Sequence, residues 1–236
     1  MDERLARIRE NERKSHTEIF LGEKLYDTDS WLKKPIRTVK EIVSVFDEYN
    51  DLHVLDLGCG IGRNSIFIAE KFRDKKCIID CVDLLEIAVD KLSQNAKDRG
   101  VDSIINGVVG SIEEYRIRKD SYDLIMAVSA LEHVETSDVF CRKLTEIKDG
   151  LRQNGVVCLV INSDVSEYNA KTKEQAEAQF EVNLPTAVIQ SFLAEVFDDF
   201  CVLKKSVTRQ EYDIPREGFI SHLDTSVITF VAQKKV

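Results

Sequence analysis

The stretch His53-Val54-Leu55-Asp56-Leu57-Gly58-Cys59-Gly60-Ile61-Gly62-Arg63-Asn64-Ser65-Ile66-Phe67-Ile68-Ala69 decides the fold. Val54, Leu55 and Leu57 form a short apolar run that reads as a buried parallel strand. Three glycines at alternate positions then turn the chain, and Ser65 to Ala69 begin an apolar-periodic helix. Glycine reaches positive φ and lets a ligand touch the backbone, so strand, glycine-rich turn and helix together make a nucleotide cradle. The dinucleotide fingerprint G-x-G-x-x-G needs glycine at position 63, which is Arg63 here. What stands instead is an acidic residue followed by G-x-G-x-G, Asp56 to Gly62. Taken alone, the pattern also fits a ligand-free turn or a nucleotide site of another kind.

The next strand narrows the choice. Cys77 to Val82 reads as a second strand ending at Asp83, one strand–helix–strand unit after the glycines. A carboxylate at that tip can accept hydrogen bonds from both ribose hydroxyls of an adenosine. Asp56-x-Gly58-x-Gly60-x-Gly62 followed by Asp83 resembles the first two motifs of the class I S-adenosylmethionine-dependent methyltransferases. The resemblance implies S-adenosylmethionine as cofactor and S-adenosylhomocysteine as product. It sets Gly58, Cys59, Gly60, Gly62 and Asn64 against the methionine part, with Asp56 helping to hold the amino group. It also sets Asp83 on the ribose, Leu84 on the adenine face, and Ser111 and Ile112 beside the adenine amino group. The family often has an acidic residue where this chain has Ser111, and a serine hydroxyl can accept only part of what a carboxylate would.

Tyr122-Asp123-Leu124-Ile125 resembles the usual entry to the fourth strand, which runs to Val128, a further cofactor contact. Leu131-Glu132-His133-Val134 follows at its tip, where cofactor and acceptor should meet. Glu132 and His133 are candidates for a base, and His133 alternatively packs against the cofactor. The N/D-P-P-[YF] box of the amino methyltransferases is absent here, which argues against a nucleobase amine as acceptor. A looser resemblance of Leu57 to Ser65 to the small tellurite-resistance methyltransferases brings in His222 as a catalytic candidate. It also makes Arg209 and Arg216 candidates to attract an anionic acceptor. Trp31, in the turn-rich stretch before Pro35, is a candidate substrate contact or simple packing.

Alternating elements continue along the chain. Residues 36–49 and 84–99 read as helices, 104–109 as the third strand, 138–148 as a helix, 156–161 as the fifth strand, and Pro185 opens a helix through Phe197. Phe200 to Val207 and Val227 to Ala232 read as a closing antiparallel pair, with a polar, turn-rich segment 209–225 between them. The result is an α/β fold, a doubly wound, Rossmann-like, mostly parallel seven-stranded sheet. The resemblance implies the order 3-2-1-4-5-7-6 with the last strand antiparallel. Residues 1–35 read as an N-terminal arm or lid helix and 36–236 as the domain. Within it, 162–183 is expected to be a substrate-facing cover, part helical around Lys173 to Phe180.

The 236 residues carry Lys+Arg 33 against Asp+Glu 42, a net charge of -9, which argues against a broad nucleic-acid footprint. The six cysteines form no C-x-x-C pair, so buried free thiols are expected and no metal site is. With no apolar leader or membrane-length run, a cytoplasmic, membrane-free protein is expected, monomeric or a homodimer. A small-molecule methyltransferase is the favoured function. The alternatives are a protein or peptide methyltransferase, or a non-catalytic S-adenosylmethionine-binding protein.

Overall fold

The computed structural model describes residues 3–22, 24–28, 30, 32–216 and 218–235. Trp31 lies outside them. Helix α1 (Glu3–Gly22) comes first, followed by α2 (Arg37–Ile42), which passes into a 3-10 turn at Val43–Phe46. The long helix expected over 36–49 is thus half as long and ends in a tightened turn. Strand β1 (Asp51–Leu57), α3 (Ser65–Lys71), β2 (Lys76–Asp83), α4 (Glu86–Asp98), β3 (Ile105–Val109) and β4 (Tyr122–Val128) then alternate as the apolar pattern requires.

Strand β1 sits between β2 and β4, parallel to both, with Leu57 level with Val82 on one side and Ala127 on the other. Both of its faces are covered, which is why adjacent Val54 and Leu55, pointing to opposite faces, are both apolar and buried. Val54, Leu124 and Met126 face α2, α3 and α4 in one core, which holds Phe46, Ile66 and Leu92. Leu55, Ile125 and Ala127 face the other core, built with Phe140, Leu144 and Ile147 of α5 (Ser137–Gly150) and Ile189 and Leu193 of α6 (Thr186–Val196).

Among the described residues the sheet has eight strands. Along its main path the order is β3-β2-β1-β4-β5-β8-β7, where β5 is Leu151–Asn169, β7 is Phe200–Arg216 and β8 is Phe219–Lys234. The extra strand, β6 (Gln175–Ala176), pairs with β5 off that path, so β7 and β8 take the places of the expected sixth and seventh strands. Strand β8 is antiparallel to both neighbours.

Two polar segments depart from expectation. Residues 162–169 continue β5, and the helix expected around Lys173 to Phe180 does not form. Likewise 209–216 and 219–225 are ladder in β7 and β8 rather than loop. The cause is cross-strand pairing of the polar side chains themselves. Ser221 Oγ donates to Glu167 (2.9 Å), Ser163 Oγ to the Ser226 carbonyl (2.7 Å) and Thr225 Oγ1 to the Ser163 carbonyl (3.2 Å). Polar groups satisfied in this way can be buried, and Ser163, Glu167, Ser221 and Thr225 are.

Candidate active site

Where β1 ends, Gly58 N–H and Cys59 N–H both donate to the Val82 carbonyl (2.8 and 3.1 Å), drawing the turn against the tip of β2. Gly60 N–H donates to Asp83 Oδ2 at 2.8 Å, and Leu85 N–H donates to Oδ1 at 3.0 Å. The Asp83 carboxylate therefore organises both the glycine turn and the start of α4, and burial raises its pKa above the usual carboxylate value. The glycines serve different ends. A Cβ on Gly58 would lie 2.4 Å from the Ala130 Cβ, and one on Gly62 2.4 Å from Leu92, so these two permit close packing. A Cβ on Gly60, at φ +53°, would meet only the Phe20 ring among the described residues, at 3.6 Å. Its open side faces a cavity.

That cavity has a volume of about 280 Å³. Its floor is Gly58 to Ile61. Asp83, Leu84 and Leu85 form one wall with Ser111 to Glu113, and Val128 to Ala130 with His133 form the other. Leu84 is an exposed leucine, 57% accessible, which is the behaviour of an apolar side chain awaiting a flat partner. Asn64 also reaches the cavity, and its Oδ1 accepts from Ile36 N–H (3.1 Å), tying the turn to the start of α2. The roof is α1, which presents Arg9, Glu12, Arg13, His16 and Phe20.

Several ion pairs hold α1 down. Arg4 and Arg7 reach Glu177 at 3.0 and 2.6 Å, and Glu12 meets Arg216 at 3.2 Å. Arg9 donates to Glu113 at 2.5 Å and lies 3.6 Å from Glu181. His133 Nδ1 is 2.9 Å from the other oxygen of Glu181, and its ring stacks on Phe180 with centroids 5.2 Å apart. Burial pulls the His133 pKa down. The Glu181 hydrogen bond and the carboxylates of Glu132, Glu181 and Glu12 outweigh that and raise it to about 9. At neutral pH the ring is an imidazolium.

The structure thus brings Gly58, Cys59, Gly60, Asn64, Asp83, Leu84, Ser111, Ile112, Val128 and His133 to one cavity. The other candidates stand elsewhere. Asp56 is buried beneath the turn, accepts from Ser65 Oγ at the start of α3, and is raised to about 7 by burial. Gly62 packs on α4. Glu132 is buried, its Oε1 accepting from Asn162 N–H (3.0 Å) and Nδ2 (2.5 Å), so it fastens the tip of β4 to β5. His222 lies on the β7–β8 hairpin, bound to Asp213 (2.7 Å) and tilted against Tyr168. Arg209 is on the same hairpin, paired with Asp224. Arg216 is bound by Glu12 and Glu167 behind the cavity wall. In the hairpin that stands in place of the expected loop, His222 and Arg209 pair with the hairpin's own Asp213 and Asp224, and Arg216 pairs with Glu12 of α1 and Glu167 of β5.

The residues that sequence reasoning missed are mainly those of α1, together with Arg63, Glu113 and Glu181. Mixed charge at helical spacing looks the same on a solvated helix as on one that faces a polar cavity. Two signals were present. Phe20 ends the helix with an aromatic group beyond its charged part, and Glu113 puts a carboxylate two positions past Ser111.

Comparison with known proteins agrees with this geometry. Residues 54–155 match a family described as a methyltransferase domain. A ubiquinone biosynthesis O-methyltransferase from Rickettsia canadensis is 30% identical over 128 residues, 53% of this chain and 50% of that protein. An (S)-coclaurine N-methyltransferase from Thalictrum flavum subsp. glaucum is 28% identical over 102 residues, 42% of this chain and 27% of that protein. The chain therefore spans half or less of the length of these curated relatives. The crystal structure of TehB from Haemophilus influenzae has the same fold, with a TM-score of 0.61 at 18% identity, over 83% of this chain and 62% of that one. Residues 54–155 therefore match a methyltransferase domain, and the chain shares the fold of TehB.

Proposed function

We propose that the protein is an S-adenosylmethionine-dependent methyltransferase acting on a small molecule. The observation that carries this reading is the cavity at the carboxyl ends of β1, β2 and β4, whose floor is the open backbone of Gly60 and whose wall is the Asp83 carboxylate. The residues fit the cofactor on chemical grounds. Asp83 uses one lone pair of each oxygen on backbone N–H groups, which leaves the others for ribose hydroxyls. Leu84 offers an apolar face to a purine, and Ser111 and Ile112 close its edge. When bound, the cofactor's sulfonium supplies a methyl group that is already electrophilic, so the chain's own task is alignment and exclusion of water.

The roof helix α1 performs the exclusion, with Phe20 and Leu32 both buried over the glycine turn. Asp56 and Glu132 act from behind, one fixing the start of α3 and the other fixing His133's segment to β5. His133 is the polar side chain placed to meet an acceptor. Carrying a proton at neutral pH, it donates a hydrogen bond to an acceptor oxygen. It becomes a base only when the proton is lost at higher pH or Glu181 withdraws. The relatives' names cover both O- and N-methylation, so the acceptor atom is for experiment to identify.

The test is thermal unfolding with S-adenosylmethionine, S-adenosylhomocysteine, NAD and ATP, followed by transfer of labelled methyl to thiols, phenols, amines and oxyanions. A ligand at 100 times its dissociation constant stabilises by about 2.7 kcal/mol. Stabilisation by the first two alone, with transfer to one acceptor class, is expected. Stabilisation by NAD or ATP instead overturns the reading. Binding without transfer to any of these acceptors would favour a peptide acceptor or a cofactor-binding role.

A further inference from the structure

We propose that Glu181 is a positioning residue whose single carboxylate ties the docking of α1 to the orientation and proton load of the His133 ring. Glu181 lies in the connection between β6 and α6 and is almost wholly buried, its side chain 4% exposed. One oxygen is 2.9 Å from His133 Nδ1, and the other is 3.6 Å from Arg9 Nε on the roof helix. That Nε is buried without a hydrogen-bond partner among the described residues, so the Arg9 contact is half made and can strengthen or lapse as α1 moves. The next residue closes the link, since Val182 N–H donates to the Glu132 carbonyl (2.9 Å), immediately before His133. Phe180, on the other side of Glu181, stacks on the His133 ring, and its carbonyl accepts from Arg4 of α1 (3.0 Å). Three consecutive residues therefore touch the segment bearing His133, and two of them also touch the roof.

The charges facing His133 come from every element around it: Glu132 on its own segment, Glu181 from the connection, Glu12 from α1 and Asp83 from the tip of β2. Arg9 is the cation that shares Glu181. With α1 docked, Arg9 shares the carboxylate that holds the imidazolium and so loosens the ring's hold on its proton, while Glu12 on the same helix tightens it; when α1 lifts, both influences leave together. With Nδ1 engaged by Glu181, the ring is also turned so that Nε2, which has no hydrogen-bond partner among the described residues, is the nitrogen left for an acceptor. Closure over the site and preparation of its ring are then one event. The inference rests on reading the cavity as a methyl-transfer site, but its test does not need a substrate.

The experiment follows the His133 ring by histidine-selective nitrogen–proton NMR titration, and the backbone of α1 by hydrogen exchange, in the intact ligand-free chain. Wild type, Arg9→Gln and Glu181→Gln are compared. Arg9→Gln should raise the His133 midpoint by about half a unit or more, because Glu181 loses its competing cation. Glu181→Gln should lower it by about one unit or more and also speed exchange in α1. An unchanged or lowered midpoint in Arg9→Gln overturns the proposal. So does a Glu181→Gln variant that moves the midpoint but leaves α1 exchange as in wild type, or the reverse. Binding of S-adenosylhomocysteine to wild type is measured separately, so failure of the cofactor reading shows as absent binding while the variant comparison still decides the coupling.

Discussion

Replacing Asp56 by asparagine separates two roles for the acidic residue that heads the glycine turn. In the structure Asp56 is 1% exposed, bonded to Ser65, and absent from the cavity wall. Burial raises its pKa from 3.8 to about 7. The folded state thus binds a proton that the unfolded state has already released between those two values, and stability falls as pH rises across that window. A shift of about three units corresponds to about 4 kcal/mol, fully expressed at pH 8. Asparagine removes the charge and still accepts from Ser65, but it puts an NH₂ donor where the carboxyl's other oxygen stood, which costs about 1–3 kcal/mol where that donor is left unpaired. The variant should therefore be less stable than wild type by about 1–3 kcal/mol near pH 4 and more stable by a similar amount at pH 8. Urea unfolding of both proteins across pH 4 to 8 reads this directly. Affinity for S-adenosylhomocysteine should stay within about threefold, against the loss of about 1.5–3 kcal/mol expected if the carboxylate bonded the cofactor's amino group. A pH-independent stability difference, or a large loss of affinity, would refute the structural role.

Three further outcomes are expected. Gly60→Val puts a branched side chain at φ +53° beside Phe20, so it should remain folded by circular dichroism yet lose S-adenosylhomocysteine binding by calorimetry. Asp83→Ala should weaken that binding by about 1–3 kcal/mol, and unchanged affinity would mean the β2 tip does not meet the ligand. Raising salt from about 0.05 to about 0.5 M should speed hydrogen exchange in α1 but not in β1 or β4. The reason is that the Arg4 and Arg7 pairs with Glu177 are exposed, whereas the central strands are held by apolar burial.

How far the sequence carries the fold depends on where periodicity is set by burial. Strands β1, β2 and β4 lie between two helical layers, so Val54 to Leu57, Cys77 to Val82 and Tyr122 to Val128 announce themselves as apolar runs. The glycine turn and Asp83 follow from those strands, and they were legible as a pair for that reason. The outer half of β5, the far ends of β7 and β8, and β6 were not. Their inward positions are Ser163, Glu167, Ser221 and Thr225, which satisfy one another across the ladder, and that reciprocity exists only once the strands have met. The site divides along the same line. Its floor was readable because glycine spacing is a local property. Its roof was not, because Arg9 and Glu181 are partners only through tertiary structure, and a charged helix gives no local sign of which carboxylates it will face.

The pairing of β5 with β8 has a consequence for how the chain is made. Val156 to Ile161 are central in the finished sheet, with β4 on one side and β8 on the other, Val157 level with Ala232. During synthesis β4 is already available when β5 emerges, but β8 follows only after α6 and all of β7. Until then β5 offers a bare apolar edge to whatever is nearby, the circumstance in which nascent chains aggregate or recruit a chaperone. A chain interrupted before β8 should hold the glycine turn and Asp83 in sequence but be prone to self-association, and stalled-ribosome complexes released before and after β8 should differ sharply in solubility. The late strand is, in effect, the seal on a half of the sheet that is made before it.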